Sequence, residues 1–182
     1  MSYGTFKINI AILLFTIITI SCKKENNVIQ PPMSDSFLPM QVGNLWYANE
    51  ENYTEIQDSI LISNHVFYKF YSLIGGDASM TSYMRIDENG KLIASDPKYP
   101  TLRIIQADFK AKIGDKFFTT GNGNDTDQEV TVMEKSDTKM SFSFDYIYHP
   151  NLKGNTFVTT YIKGQGYPGN WTKLKINGVV LK

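Results

Sequence analysis

The chain has 182 residues, with 18 basic and 18 acidic side chains. Setting aside residues 1–21, whose only charged side chain is Lys7, leaves 17 basic against 18 acidic groups. That balance argues against a nucleic-acid footprint and against a polybasic membrane patch. With 42% hydrophobic and 13% aromatic residues, the chain has the makings of one core. A single cysteine, Cys22, excludes an internal disulfide, a cysteine-ligated zinc site and a redox pair.

The N-terminus carries positive charge at the amino group and Lys7. Thirteen mostly apolar residues follow, Ile8 to Ile20, interrupted by Asn9, Thr16 and Thr19. A membrane span needs about 20 apolar residues. A run of this length suits the core of a removable signal peptide. Ser21-Cys22 comes next, and Lys23-Lys24-Glu25 ends the apolar stretch. The alternative is an uncleaved N-terminal helix with an incidental cysteine. Thr19-Ile20-Ser21-Cys22 resembles a bacterial lipobox, with Thr19 where Leu or Val is usual. The resemblance implies cleavage between Ser21 and Cys22, a lipid on the Cys22 sulfur and an acyl group on the new amino terminus. Two or three chains, at about 0.8 kcal/mol per buried methylene, hold where one does not. The Ser-Cys-Lys-Lys-Glu junction is similar to that of Bacteroidota lipoproteins. It implies a lipid anchor in the bacterial outer membrane, on the periplasmic or the cell-surface face. Residues 1–21 are thus expected to be a signal peptide. Residues 22–36 are expected to be the lipidated cysteine and a polar tether with Pro31-Pro32 at its middle.

Residues 37–182 follow a period of two rather than 3.6, so the expectation is a single all-β domain. Its predicted form is an antiparallel meander of about nine to eleven strands, as a curved sheet, half-barrel or sandwich. In chain order, Gln41-Val42-Gly43-Asn44-Leu45-Trp46 is a turn that launches a strand. Val66, Tyr68 and Phe70 alternate with His65, Phe67 and Lys69, which places rings on both faces. Gly75-Gly76-Asp77 turns that strand into the next. Asn89-Gly90 is expected to form a type I′ turn pairing Glu88 with Lys91 and Ile86 with Ile93. Lys112-Ile113-Gly114-Asp115-Lys116-Phe117 echoes the first launch turn at an offset of 71 residues. It marks either two similar halves of one sheet or a common turn. Met140, Phe142, Phe144, Tyr146 and Tyr148 share one side of a strand. Asn177-Gly178 is a second type I′ turn, pairing Ile176 with Val179 and Leu174 with Leu181.

The order of four segments resembles a mostly uncharacterised group of Bacteroidota lipoprotein domains. They are Phe37-Leu38-Pro39 with Val42 to Tyr47, Tyr83 to Gly90, Asp108 to Asp115, and Tyr161 to Gly166. The resemblance implies an all-β curved sheet or half-barrel and carries over no catalytic residue.

Few chemical motifs appear. Gly164-Gln165-Gly166-Tyr167-Pro168-Gly169 fits G-x-G-x-x-G, but a strand pattern follows instead of a helix, so a tight loop is expected rather than a nucleotide site. Asn124, Asp125, Asp127 and Glu129 are oxygen-rich enough to gather calcium, against a solvated hairpin loop as the alternative. His65 and His149 lack metal-ligand spacing. There is no G-x-S-x-G, and the carboxylates Asp58, Asp87, Asp108, Asp115 and Asp145 cannot be paired from sequence. Asp58-Ser59-Ile60 resembles a Bacteroidota O-glycosylation acceptor, which implies a glycan on Ser59. Rings on both faces of a strand mean either that both faces are covered, by a second sheet or by the sheet curling over, or that a concave aromatic face is left for a ligand, and Phe67, Tyr71 and Tyr146 are the candidates for that face. The expected protein is non-catalytic and needs no cofactor. It is a binding or structural module whose partner is another envelope protein or a glycan. The alternatives are a carrier or sensor of an apolar or glycan ligand, and a carboxylate-dependent hydrolase.

Overall fold

The computed structural model of the chain describes residues 35–167 and 169–182. Ser21, Cys22, the tether through residue 34 and Pro168 lie outside the described residues. The two-residue period becomes twelve strands among the described residues. They are β1 (Leu45–Asn49), β2 (Asn52–Ile62), β3 (His65–Ile74), β4 (Ala78–Ile86), β5 (Lys91–Asp96) and β6 (Tyr99–Asp108). β7 (Lys116–Phe118), β8 (Glu129–Lys135), β9 (Lys139–Asp145), β10 (Phe157–Ile162), β11 (Lys173–Ile176) and β12 (Val179–Val180) follow. Eight form one open antiparallel sheet in the order β12-β11-β1-β2-β3-β4-β5-β6. The other four form a second sheet, β10-β9-β8-β7. The protein is all-β, and its meander is split over two sheets.

Successive residues of a strand point to opposite faces. Trp46, Phe70, Met84 and Leu92 of the large sheet therefore pack with Val132, Phe142 and Tyr161 of the small one. Leu38 and Phe109 fill in between. The segment after β10 plugs this core. Trp46 is fully buried, and its Nε1 donates to Gln165 O at 2.6 Å. Its ring stands edge-on to Tyr167 at 5.6 Å and stacks on Phe70 at 6.1 Å.

The echoed hexapeptide is a structural repeat. Gly43 N–H donates to Ile56 O, Asn44 N–H to Gln41 O, and Ile56 N–H to Asn44 O. Gly114, Val132, Asp115 and Lys112 make the same three bonds in the same roles. Both glycines sit in the left-handed region, at φ 87° and 86°, which a residue with a Cβ adopts at a cost. Each unit then bulges just after the residue that receives the bond, Ile56 in β2 and Val132 in β8. Ile56 faces Phe70 and Val132 faces Phe142. Tyr68 pairs with Met84 in one unit, and Met140 with Tyr161 in the other. The two units, β1–β4 and β7–β10, lie in different sheets and are not halves of one.

Two local expectations need correction. At Asn89-Gly90 only Gly90 has positive φ, and the loop holds three residues, Glu88 to Gly90. Asp87 Oδ1 accepts from Asn89 N–H and Lys91 N–H, which stabilises the longer turn. The register slips by one, so Ile86 faces Leu92 and Arg85 faces Ile93. Leu92 then joins the main core, while Ile93 joins a second cluster with Ile62 and Phe67 on the opposite face. The aromatic strand β9 stops at Asp145, and Tyr146 and Tyr148 belong to the turn beyond it. The Asn177-Gly178 turn forms as expected, with Ile176 facing Val179.

A Cβ on Gly166 would lie 2.9 Å from both Leu38 Cδ1 and Trp46 Cζ2, at φ 86°. Gly121 has a similar φ of 73° and open space around it. Gly121→Ala should cost about 1 kcal/mol in backbone strain, and Gly166→Ala about 2–4 kcal/mol because packing adds to it. Urea midpoints measure both. Equal losses would refute the tight seating of this loop on Trp46.

Candidate functional site

With Trp46 and Phe70 turned inward, Tyr47 and Tyr71 turn outward on the large sheet. Tyr53 lies opposite Tyr47 across β1 and β2. The Tyr47 and Tyr53 rings stack with centroids 6.5 Å apart, and Tyr53 meets Tyr71 at 6.0 Å. Three half-buried rings thus cross three strands as a ladder. Polar groups frame it by register. Lys173 faces Tyr47, Glu55 and Thr81 flank Tyr71, and Ser79 faces Leu73. Each tyrosine offers an apolar ring face and a hydroxyl that donates or accepts.

The repeat is an internal control on this face. Core positions match in kind between units, as Trp46 with Phe117, Ile56 with Val132 and Phe70 with Phe142. Ladder positions do not. Phe118, Glu129 and Ser143 stand where the first unit has Tyr47, Tyr53 and Tyr71. Packing the sandwich therefore does not demand the ladder.

The predicted trio is not brought together. Phe67 and Tyr71 share the outward face of β3, four residues apart, which is about 13 Å along a strand. Phe67 is buried beneath the Arg85 guanidinium, whose carbon lies 5.5 Å from the ring centroid. Tyr146 follows β9 in the other sheet, with its ring 6.3 Å from His149. Tyr47 and Tyr53 are not among the residues that the sequence pattern marks. The alternation anchored on Trp46 sends Tyr47 outward, but which residue faces it depends on a register the sequence does not state.

The four oxygen-bearing residues proposed for calcium do not converge either. Asp127 is fully buried and turned inward. Its Oδ1 accepts from Thr119 Oγ1 and Thr120 N–H, and its Oδ2 from Gly123 N–H. Asn124 Oδ1 accepts from Thr126, and Glu129 pairs with Lys116 at 2.7 Å. Asp125 is exposed. The loop wraps its donors around a carboxylate of its own. Among the described residues no group of three or more His, Cys, Asp or Glu side chains is placed to hold a metal ion.

Several of the aspartates considered as catalytic carboxylates cap turns instead. Asp108 Oδ1 accepts from Lys110 and Ala111 N–H, Asp115 Oδ2 from Lys112 N–H, and Asp145 Oδ1 from Gly154 N–H. His149 Nδ1 accepts from Asn151 and Leu152 N–H, and His65 Nδ1 lies 2.8 Å from Ser63 O. Of the Gly164–Gly169 motif, Gln165, Gly166 and Tyr167 belong to the core-plugging loop described above, and Pro168 lies outside the described residues. Ser59 is exposed on β2 beyond the end of β1, with its N–H held by Asp58 Oδ1. Comparison with family models, curated proteins and solved structures finds no match to this chain.

Burial alone would raise the Asp127 pKa, but the Thr120, Gly123 and Thr119 donors outweigh it and hold it at about 2, against an ordinary 3.8. A carboxyl depressed in the folded state stabilises above its unfolded pKa, and that stability fades as pH falls from about 4 toward 2. The shift corresponds to about 2 kcal/mol. Asp127→Asn should lose about that much at pH 7 and flatten the dependence of the urea midpoint on pH between about 4 and 2. A variant as steep as the parent in that window would contradict the role given to Asp127.

Proposed function

We propose that this chain is a lipid-anchored, non-catalytic binding module of the bacterial outer membrane, and that it holds a glycan on the ladder Tyr47–Tyr53–Tyr71. The ladder carries the reading. A sugar ring has an apolar C–H face and a rim of hydroxyls. The tyrosine rings suit the face, and the surrounding Glu55, Thr81, Ser79 and Lys173 suit the rim. An open sheet face favours such a ligand over a bare hydrocarbon chain, which needs an enclosed apolar cavity. The absence of matching rings in the second unit supports selection for something other than folding. The non-catalytic part rests on Asp87, Asp108, Asp115 and Asp145, each of which has one carboxylate oxygen accepting from backbone N–H groups of its own turn. The anchor rests on the run Ile8–Ile20 and on Thr19-Ile20-Ser21-Cys22.

Two experiments test the two parts. Cys22→Ser should move the protein from the membrane to the soluble fraction of fractionated cells. Retention on the membrane through an uncut leader would defeat the lipoprotein reading. Binding to oligosaccharides released from the envelope polysaccharide should weaken about tenfold with Tyr53→Ala, about 1.4 kcal/mol, and little with Tyr53→Phe. Titration calorimetry showing no oligosaccharide binding to the parent, or equal binding by all three proteins, would reject the ladder as the site.

A further inference from the structure

The chain contains two arginines, Arg85 and Arg103, and both line one cleft. It lies at the other end of the face that carries the tyrosine ladder. There the β2–β3 hairpin leans across the sheet, and Ser63 Oγ donates to Pro100 O of β6 at 2.9 Å. The turn that does this is strained. Ser63 and Asn64 both have positive φ, at 47° and 65°, without a glycine to relieve them. The closure roofs the second apolar cluster, with Phe67 and Ile93 on the floor of the cleft.

Arg85 reaches this cleft because of the corrected β4–β5 register, which sets it opposite Ile93. Its guanidinium lies over the Phe67 ring, and its Nε is buried with no hydrogen-bond partner among the described residues. A buried donor left unpaired costs about 1–3 kcal/mol, more on a charged group, so it invites an acceptor from outside. Among the described residues neither arginine has an ion-pair partner, and no carboxylate lines the cleft. Its other polar side chains are Ser63, His65 and Ser95. The volume is about 70 Å³. That is room for one small group, since a water takes about 30 Å³. Leu102 and Arg103 also line a wider, solvent-open groove of about 560 Å³ along β6, with Tyr99, Thr101, Thr120 and Asn122.

We infer that this cleft binds an oxyanion, a carboxylate or a phosphate, whose carrier lies along the β6 groove. Arg85 grips it from the floor and Arg103 from the rim. The guanidinium fork matches the paired oxygens of either group, and the Phe67 ring holds the Arg85 plane in position. The site stands apart from the ladder, so it holds or falls independently of glycan binding.

Having two arginines makes the test direct. In the full chain, purified in detergent micelles and labelled with ¹⁵N-arginine, two Nε–H signals are expected, assignable with Arg103→Lys. The chain is titrated with sodium acetate and with inorganic phosphate, at ionic strength held constant by sodium chloride. Saturable movement of both signals supports the site, and the anion that saturates at lower concentration names the head group. Arg85→Lys keeps the charge without the fork and should weaken binding about tenfold, read on the Arg103 signal. Tyr53→Ala should leave it unchanged. Linear drifts, or shifts that sodium chloride alone reproduces, would overturn the proposal. So would saturable binding that Arg85→Lys leaves intact.

Discussion

Burial of Trp46 between the two sheets is the constraint from which the rest of the structure follows. Burying a ring of this size at about 25 cal/mol per Å² is worth about 5 kcal/mol, among the largest single contributions a side chain makes. The indole N–H donates to Gln165 O, which spares the core an unpaired donor. Gly166 passes where a Cβ would collide with the indole. One side chain thus joins β1, which holds the C-terminal hairpin on one edge and β2 on the other, to the loop that follows the small sheet. It also fixes parity. Once Trp46 points inward, Tyr47 must point out, and the register of β2 and β3 carries that choice to Tyr53 and Tyr71.

The launch turn that sets Trp46 is used twice, with the same hydrogen bonds, the same bulge and the same inward positions. What differs between the units is what lies outside the core. The first unit is extended on both sides, by β11 and β12 and by β5 and β6, into a sheet broad enough to curl over itself. Its outer face therefore has two regions. One is open and carries the tyrosine ladder. The other is roofed by the β2–β3 hairpin and carries both arginines over a small apolar floor. The second unit ends at four strands and has neither.

Much of this was legible in the sequence, because period-two burial and launch turns are local properties. Met140, Phe142 and Phe144 announce their strand, and Asn177-Gly178 fixes its hairpin by backbone preference alone. The all-β class and the echo at Gly43 and Gly114 are equally local. What the sequence hides depends on register and on partners distant along the chain. Asp87 turns a two-residue loop into three by accepting two N–H groups, and that one slip moves Ile93 and Arg85 to the same cleft. Asp127 looks like a cation ligand by composition, yet its neighbours Thr119, Thr120 and Gly123 supply donors instead of further oxygens. The ladder requires three strands in register, so no single stretch displays it. Phe67 was a sound candidate for the outward face, but the arginine that covers it lies 18 positions away.

The proposed role is that of a lipidated chain presenting one sheet face to an envelope ligand. Native mass spectrometry of the full-length gene product, extracted from its own membrane in mild detergent, reads the anchor and the ligand in one spectrum. The expected mass is that of the polypeptide beginning at Cys22, increased by its acyl groups, together with a bound glycan or anionic species that collisional activation releases. A bare polypeptide that still carries residues 1–21 would contradict it.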